Sequence, residues 1–477
     1  MQVIFALDLL ALVWLAAAAL LSKLFSFRPA HKQNLPPGPK PWRIIGNLNL
    51  IGHLPHLSLH KLSQKYGQIM QLQFGSFPVV VASSPEMARQ FLKTNDHLFA
   101  SRPQTAAGKY TAYNYSNITW APYGPCWRQG RKIFHTELFS WKRLESCEYI
   151  RVEERRAFVS RLYALSTSMS LNPGEFQEML DELFLLNGVL NIGDWIPWIA
   201  FLDLQGYVKR MKALRDKFDR LFDHVIEKHR ARREAADFVA KDMVDMLLRL
   251  ADDPDLEVKL GTDGVKGLTL DLLAGGTDTS ATTMEWAMSE ILRQPSIATK
   301  ATEELDRVIG RDRWVEEKDI PQLPYIDAIV KETMRLHPVA VLLAPHLALQ
   351  DCNVSGYDIR KGTRVLVNAW SIGRDPNIWD APEEFRPERF LGKAIDVNGQ
   401  NFELLPFGSG RRMCVGYRLG LKMIQSSLSN MLHGFHWKLP GDMKTEELNM
   451  EEVFGLTTPR KVPLVAVMEP RLPSHLY

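Results

Sequence analysis

Of the four cysteines, at 126, 147, 352 and 414, only the last stands in a setting suited to holding a metal. It closes the string Pro406-Phe407-Gly408-Ser409-Gly410-Arg411-Arg412-Met413-Cys414-Val415-Gly416. A thiolate ligand needs nearby donors or positive charge. Glycines leave backbone N–H groups free to point at the sulfur, and a helix beginning near Tyr417 adds its positive end. Arg412, two residues earlier, can meet an anionic group beside a metal. A lone cysteine in a loop is usually a small, inert residue, but the whole string is too specific for that. A second candidate is Ala274-Gly275-Gly276-Thr277-Asp278-Thr279-Ser280. Its glycines cost a helix about 1 kcal/mol each against alanine, a loss that makes sense where something approaches the backbone. Thr and Asp there can bond back to carbonyls and open a local groove. Trp127 and Arg131 lie four apart on one helix face, as Glu332 and Arg335 do three apart. Either spacing alone is an ordinary helix-surface contact. His346, after Pro345, reads alone as a satisfied histidine.

These residues need a framework of helices. Helical patterns run over 208–233, whose 227–233 charges read as a solvated face, over 268–292, through 326–330 and over 423–432. A hairpin is expected from 70–74 and 77–83 around Gly75-Ser76, and a strand-rich stretch from 352 to 368. The fold class is therefore mainly α with minor β (α+β), in one domain over 42–477. Residues 3–21 are apolar except Asp8, and about 19 residues span roughly 28 Å of hydrocarbon. Lys23, Arg28 and Lys32 follow, which predicts a transmembrane anchor over 1–22 with the domain on the cytoplasmic side. A cleaved signal peptide is the alternative, but no basic residue precedes the apolar run. Residues 23–41 form a basic, proline-rich hinge in which Pro36, Pro37, Pro39 and Pro41 forbid a helix. With 45% hydrophobic residues, 24% charged residues and a net charge of +3, nothing in the composition argues for disorder or nucleic acid. So few cysteines in a long chain fit a cytosolic domain, so the sequons at Asn114, Asn117 and Asn353 are expected to stay unmodified.

The cysteine string resembles the heme-binding loop of cytochrome P450 enzymes. Phe385-Arg386-Pro387-Glu388-Arg389-Phe390 follows the Glu332-Thr333-Met334-Arg335 pair as it does in that family. The resemblance implies the P450 fold, heme b (iron protoporphyrin IX) ligated by Cys414, and a monooxygenase using O2. It implies that Glu332, Arg335 and Arg389 form a buried structural triad. Thr279 and Asp278 become the catalytic pair that manages protons, with Gly275 in the oxygen groove and Phe407 beside the cofactor. Trp127, Arg131, His346 and Arg412 become partners of the heme propionates. Implied partners are NADPH-cytochrome P450 reductase, membrane lipid at the endoplasmic reticulum and a lipophilic small-molecule substrate. Arg128, Lys132, Arg411, Arg418 and Lys422 are candidates to dock the reductase.

The substrate pocket is expected from 105–120, 272–276, 339–343 and 455–458, with Val339, Val341, Leu342, Leu343 and Leu456 as an aliphatic wall. Segments 47–54, 106–115 and 181–204 resemble the plant subfamily containing homoterpene synthases. Those enzymes cleave nerolidol and geranyllinalool oxidatively to dimethylnonatriene and trimethyltridecatetraene. The same broad group contains flavonoid hydroxylases. One departure stands out. Between 162 and 176 the chain lacks a helical stretch of order thirty residues that family members carry, which leaves an inactive heme-binding variant as an alternative.

Overall fold

The computed structural model describes residues 33–167, 174–233, 240 and 242–477. The expected anchor, the hinge up to residue 32 and the centre of the shortened stretch (168–173) lie outside the described residues. Among the described residues, no helix is long and apolar enough to cross a membrane. The long helices are α1 (Pro55–Tyr66), α2 (Pro125–Ile133), α3 (Glu148–Thr167), α4 (Glu175–Gly188), α5 (Tyr207–Arg233), α6 (Thr262–Arg293), α7 (Pro295–Ile309), α8 (Pro324–Leu336) and α9 (Tyr417–Gly434).

The expected hairpin forms as β1 (Ile69–Phe74) and β2 (Phe77–Ala82), because Met70, Leu72 and Phe74 alternate with two glutamines and so present one buried face. Gly75 turns it at φ +52°, where a Cβ would stand 2.3 Å from Trp195 O. The chain then supplies β3 (His346–Leu347), the small hairpin β4 (Cys352–Val354) and β5 (Tyr357–Ile359), and β6 (Arg364–Val367). The main sheet runs β1-β2-β6-β3, with β2 and β6 parallel and the other neighbours antiparallel. The last hairpin joins β7 (Phe435–Lys438) and β8 (Val467–Pro470). The prolines at 36–41 form no helix, and Pro37 O accepts the Gln71 N–H at 2.9 Å.

Helix α6 organises the rest. Its second half packs with α7, α8 and α9 around Ala287, Ile291, Leu305, Ile329 and Leu428, all at most 1% exposed. Its first half packs with α4 and α5 around Leu180, Phe184, Phe218, Leu268 and Leu270. Each such side chain contributes about 1.5–3 kcal/mol by burial. The segment between the two clusters, 274–280, borders a cavity.

The buried triad is present. Glu332 takes Nε and Nη2 of Arg335 at 2.7 and 2.8 Å and Nε of Arg389 at 2.9 Å. It also accepts the Arg386 backbone N–H at 2.7 Å. The guanidinium groups complete their bonds on carbonyls of Pro382, Glu384 and Asp380 at 2.7–2.9 Å. This shell locks α8 onto the 380–389 segment and, through cluster packing, holds α9 in place.

Candidate functional site

The loop that carries Cys414 is set by two left-handed glycines, Gly408 and Gly410, each at φ +69°. Only glycine fits the second, since a Cβ there would lie 1.9 Å from Leu92 O. The Cys414 N–H is given to Phe407 O at 2.9 Å, which folds the string back on itself just before α9. Cys414 is exposed and lines a cavity together with Phe407, Arg412 and Gly416. Burial pushes its pKa up, while the Gly416 N–H and Arg131 pull it down. A thiolate there is favoured once a cation binds it.

Across the cavity of about 420 Å³ lies the middle of α6. A Cβ on Gly275 or Gly276 would meet nothing within 4 Å, so the space they leave belongs to the cavity. The threonines bond back as expected: Thr277 Oγ1 to Leu273 O at 2.7 Å and Thr279 Oγ1 to Gly275 O at 2.8 Å. Asp278, on the neighbouring face, is buried and does not line the cavity. Burial pushes its pKa up to about 6 against the pull of Thr457, and Asp181 and Glu285 push further.

At one end of the cavity the positive groups gather. Arg412 bonds to carbonyls of Ile118 (3.1 Å) and Ala121 (2.6 Å) and stacks on Trp127 at 4.3 Å. Arg131 bonds to Met413 O. Trp127 gives its indole N–H to Ile118 O at 3.2 Å. His346 Nδ1 bonds to Phe99 O at 2.9 Å, and burial, Arg102 and Arg412 lower its pKa to about 3. Arg102, which motif spacing did not single out, completes the group through Ala344 O (2.8 Å) and Pro345 O (2.9 Å). Its only sequence signal is an arginine in Ser101-Arg102-Pro103; it reaches the site because residue 101 bridges to Leu347 of β3.

Among the described residues no carboxylate pairs with Arg102, Arg131 or Arg412. Burial lowers their pKa values to about 9, 10 and 8, and for Arg412 the two other arginines lower it further. Three buried cations without an anion form an incomplete site. A flat dianionic cofactor with its acidic edge on this cluster and its metal at Cys414 completes it. The residues present therefore fit heme.

The cavity wall agrees with most expected segments: Ile118, Leu272, Ala274, Val339, Leu343 and Leu456 all line it. Val341 and Leu342 do not. They face a neighbouring cavity of about 110 Å³, because the chain turns at Leu343, held at φ +50°. The loop before α2 carries an unusual run of left-handed residues, Tyr113, Asn114 and Tyr115.

Asp271, on α6, clamps that loop. It accepts from Asn117 Nδ2 and Thr119 Oγ1 at 2.8 Å and from the Ile118 N–H at 2.7 Å. Asn117 is thereby buried and has no access for glycosylation. Burial outweighs these bonds and lifts the Asp271 pKa to about 6. A carboxyl with an ordinary pKa near 3.9 when unfolded then holds more protons folded than unfolded between those values. Stability consequently falls as pH rises from about 4 to about 6 and is level above. Asp278 gives a slope in the same window. In Asp271→Asn its share of that fall should disappear, so that stability drops less between about pH 4 and 6 than in the parent, measured by denaturant unfolding at a series of pH values; an unchanged slope would refute the assignment.

A fold of long helices around a cavity, with a cysteine loop on one wall and an Ala-Gly-Gly-Thr-Asp-Thr segment on the other, has the arrangement of a heme-binding oxidoreductase. The profile of the cytochrome P450 family matches residues 36–174 and 167–465, and the chain belongs to that family. It is a monooxygenase with a heme cofactor. A trimethyltridecatetraene synthase of Zea mays is 48% identical over 93% of this chain and 90% of its own length. A dimethylnonatriene synthase of Zea mays is 46% identical over 93% of this chain and 92% of its own. A flavonoid 3'-monooxygenase of Petunia hybrida is 42% identical over 94% and 95%. A zebrafish cytochrome P450 structure with abiraterone superposes with a TM-score of 0.71 and 27% identity, covering 87% of this chain and all of that one.

Proposed function

We propose that the chain is an NADPH-cytochrome P450 reductase-dependent monooxygenase that cleaves a tertiary terpene alcohol, nerolidol or geranyllinalool, to a homoterpene. The observation that carries this reading is the 46–48% identity to two maize homoterpene synthases, against 42% for a flavonoid 3'-monooxygenase. The aliphatic wall of Leu272, Val339, Leu343 and Leu456 suits such a substrate. Heme bound through Cys414 supplies activation of O2. Arg102, Arg131, Arg412 and His346 hold its acidic edge, with Trp127 stacked under Arg412. A carboxylate arriving there raises the His346 pKa, so that its second nitrogen can donate. Phe407 positions the ligand loop through its carbonyl, and Gly275 leaves room for O2. Thr279 and Asp278 place the protons.

The apolar segment 3–21 anchors the chain in the endoplasmic reticulum membrane, with the catalytic domain cytosolic. Trp198, Phe201 and Leu204 are 65–81% exposed and lie beyond the Trp195–Ile196 turn that touches Gly75. Gly75 in turn bonds to Ile45, next to the exposed Trp42 and Ile44. These exposed apolar side chains suit contact with lipid. Reductase docking rests on Lys132 and Arg418, while Arg128 stands beside Glu257 at 3.9 Å. Arg411 and Lys422 are engaged by Asp96 and Glu317.

Microsomes containing the chain and a reductase, fed nerolidol, geranyllinalool and a flavonoid in parallel, should yield the homoterpenes. Flavonoid hydroxylation alone would transfer the chain to the second substrate class. One further reading has its own support. The family profile breaks at 167–174, and Thr277 and Ala281 in mid α6 are exposed, on a face that a further helix would cover. Intact heme ligation with no product from any substrate would favour this inactive variant.

A further inference from the structure

Two buried oxygen atoms beside the cavity lack partners among the described residues: Oδ2 of Asp278 and Oγ1 of Thr457. Asp278 is 8% exposed and Thr457 3%. A buried oxygen left without a partner is costly, so an unpartnered pair in one place calls for a further partner that serves both. The Thr457 hydroxyl stands close enough to act on the Asp278 carboxyl as a hydrogen-bonding neighbour that pulls its pKa down, while its Oγ1 and the Asp278 Oδ2 are both left without a well-formed bond.

Their places in the wall differ in a useful way. Thr457 lines the cavity with Gly275 and Thr279, whereas Asp278 stands behind it. Successive helix residues point about 100° apart, so Asp278 does not face where Thr279 faces. The Thr279 hydroxyl already gives its hydrogen to Gly275 O. A proton leaving Asp278 therefore reaches the cavity most directly past Thr457. That residue is rigidly placed. Leu456 N–H bonds to Phe184 O at 2.8 Å, and Thr458 O accepts the Trp286 indole N–H at 3.0 Å.

Resting on the monooxygenase reading above, we propose that Thr457 is a positioning residue of the proton path. Its hydroxyl and the Asp278 carboxyl together hold one water molecule that carries protons from the acid into the cavity. A buried water needs two to four polar partners, and these oxygens provide two. In each transfer the Asp278 O–H bond breaks and a bond to the water oxygen forms, while the water releases its own proton to the oxygen being reduced. Two electrons from the reductase with two protons by this path, and two hydrogen atoms lost by the alcohol in its cleavage, reduce O2 so that both its atoms leave as water. The carboxylate is reprotonated from the side of α4, where Asp181 is exposed to solvent.

The test uses the full heme-loaded chain with reductase. Thr457→Val keeps the shape and removes the hydroxyl; Thr457→Ser restores it. The valine variant should keep the reduced-CO band and NADPH consumption but release several-fold more hydrogen peroxide per NADPH, with a larger solvent deuterium isotope effect. Serine should return both toward the parent. Independently of turnover, the Asp278 carboxyl band in the CO-photolysis infrared difference spectrum, assigned with Asp278→Asn, should titrate at higher pH in the valine variant. If valine loses the reduced-CO band by misfolding, Thr457→Ala carries the same expectations. Unchanged peroxide yield and isotope effect in a variant with intact heme overturn the proposal while leaving the monooxygenase reading standing. A parent that shows the band but makes no product from any substrate overturns that reading, and the proposal with it.

Discussion

Replacing Glu332 with glutamine should prevent accumulation of folded, heme-loaded protein, or lower its Tm by of the order of ten degrees. The carboxylate sits at 0% exposure between Arg335, also at 0%, and Arg389, at 4%. Glutamine keeps one acceptor oxygen but removes the charge that compensates two cations. It also turns an N–H group toward donors that have nowhere else to go. Removing one partner of a buried ion pair typically costs about 3–5 kcal/mol, a large share of a total near 5–15 kcal/mol. The control is Lys300→Ala, which breaks the exposed pair with Glu388 at 2.6 Å. Exposed pairs contribute about 0–1 kcal/mol, so that variant should unfold close to the parent. Thermal unfolding followed by heme absorbance separates the two; a Glu332→Gln protein within two degrees of the parent would show that the triad does not carry the fold.

What was legible from residue order follows the reach of each interaction. The cysteine loop is a local object: its glycines, arginine and sulfur lie within eleven consecutive residues, and the fold returns them in the expected relation. The Glu332–Arg335 pair is equally local, one helix turn apart. Arg389 joins them from fifty-odd residues away, and only resemblance to a family placed it. Arg102 had no such help. Its bonds reach Thr119, Ala344 and Pro345, and a single arginine in a loop carries no periodicity that announces a cavity. Asp271 is similar, since its partners lie more than 150 residues away in the chain. Val341 and Leu342 line the neighbouring cavity for another reason. An apolar run says that side chains are buried, but the left-handed Leu343 decides which of two cavities they face. The glycines of α6 mark a close approach in the sequence, and the space they leave belongs to the cavity rather than to another part of the protein.

Cys414→Ser should abolish product formation while leaving the polypeptide folded. The sulfur packs against little, being open to the cavity, so trading it for oxygen removes few contacts. The chemical loss is large. Metal ligation here requires an anion, and a thiol can become one when a cation binds, with the Gly416 N–H and Arg131 already lowering its pKa against burial. A serine hydroxyl ionises far less readily and, in the same place, stays neutral. The arginine cluster is untouched, so heme still finds its acidic-edge partners and binds more weakly at the iron. The expected result is a shift of the reduced-CO band to shorter wavelength, turnover at background, and apo-protein unfolding within a few degrees of the parent. Serine at Cys126, Cys147 or Cys352, each a free thiol away from the cavity wall, should change none of these. Should the red-shifted band survive in Cys414→Ser, the iron ligand would have to be sought elsewhere. Should it move in one of the other three, that residue would become the ligand, and the geometry around the arginine cluster would need another explanation.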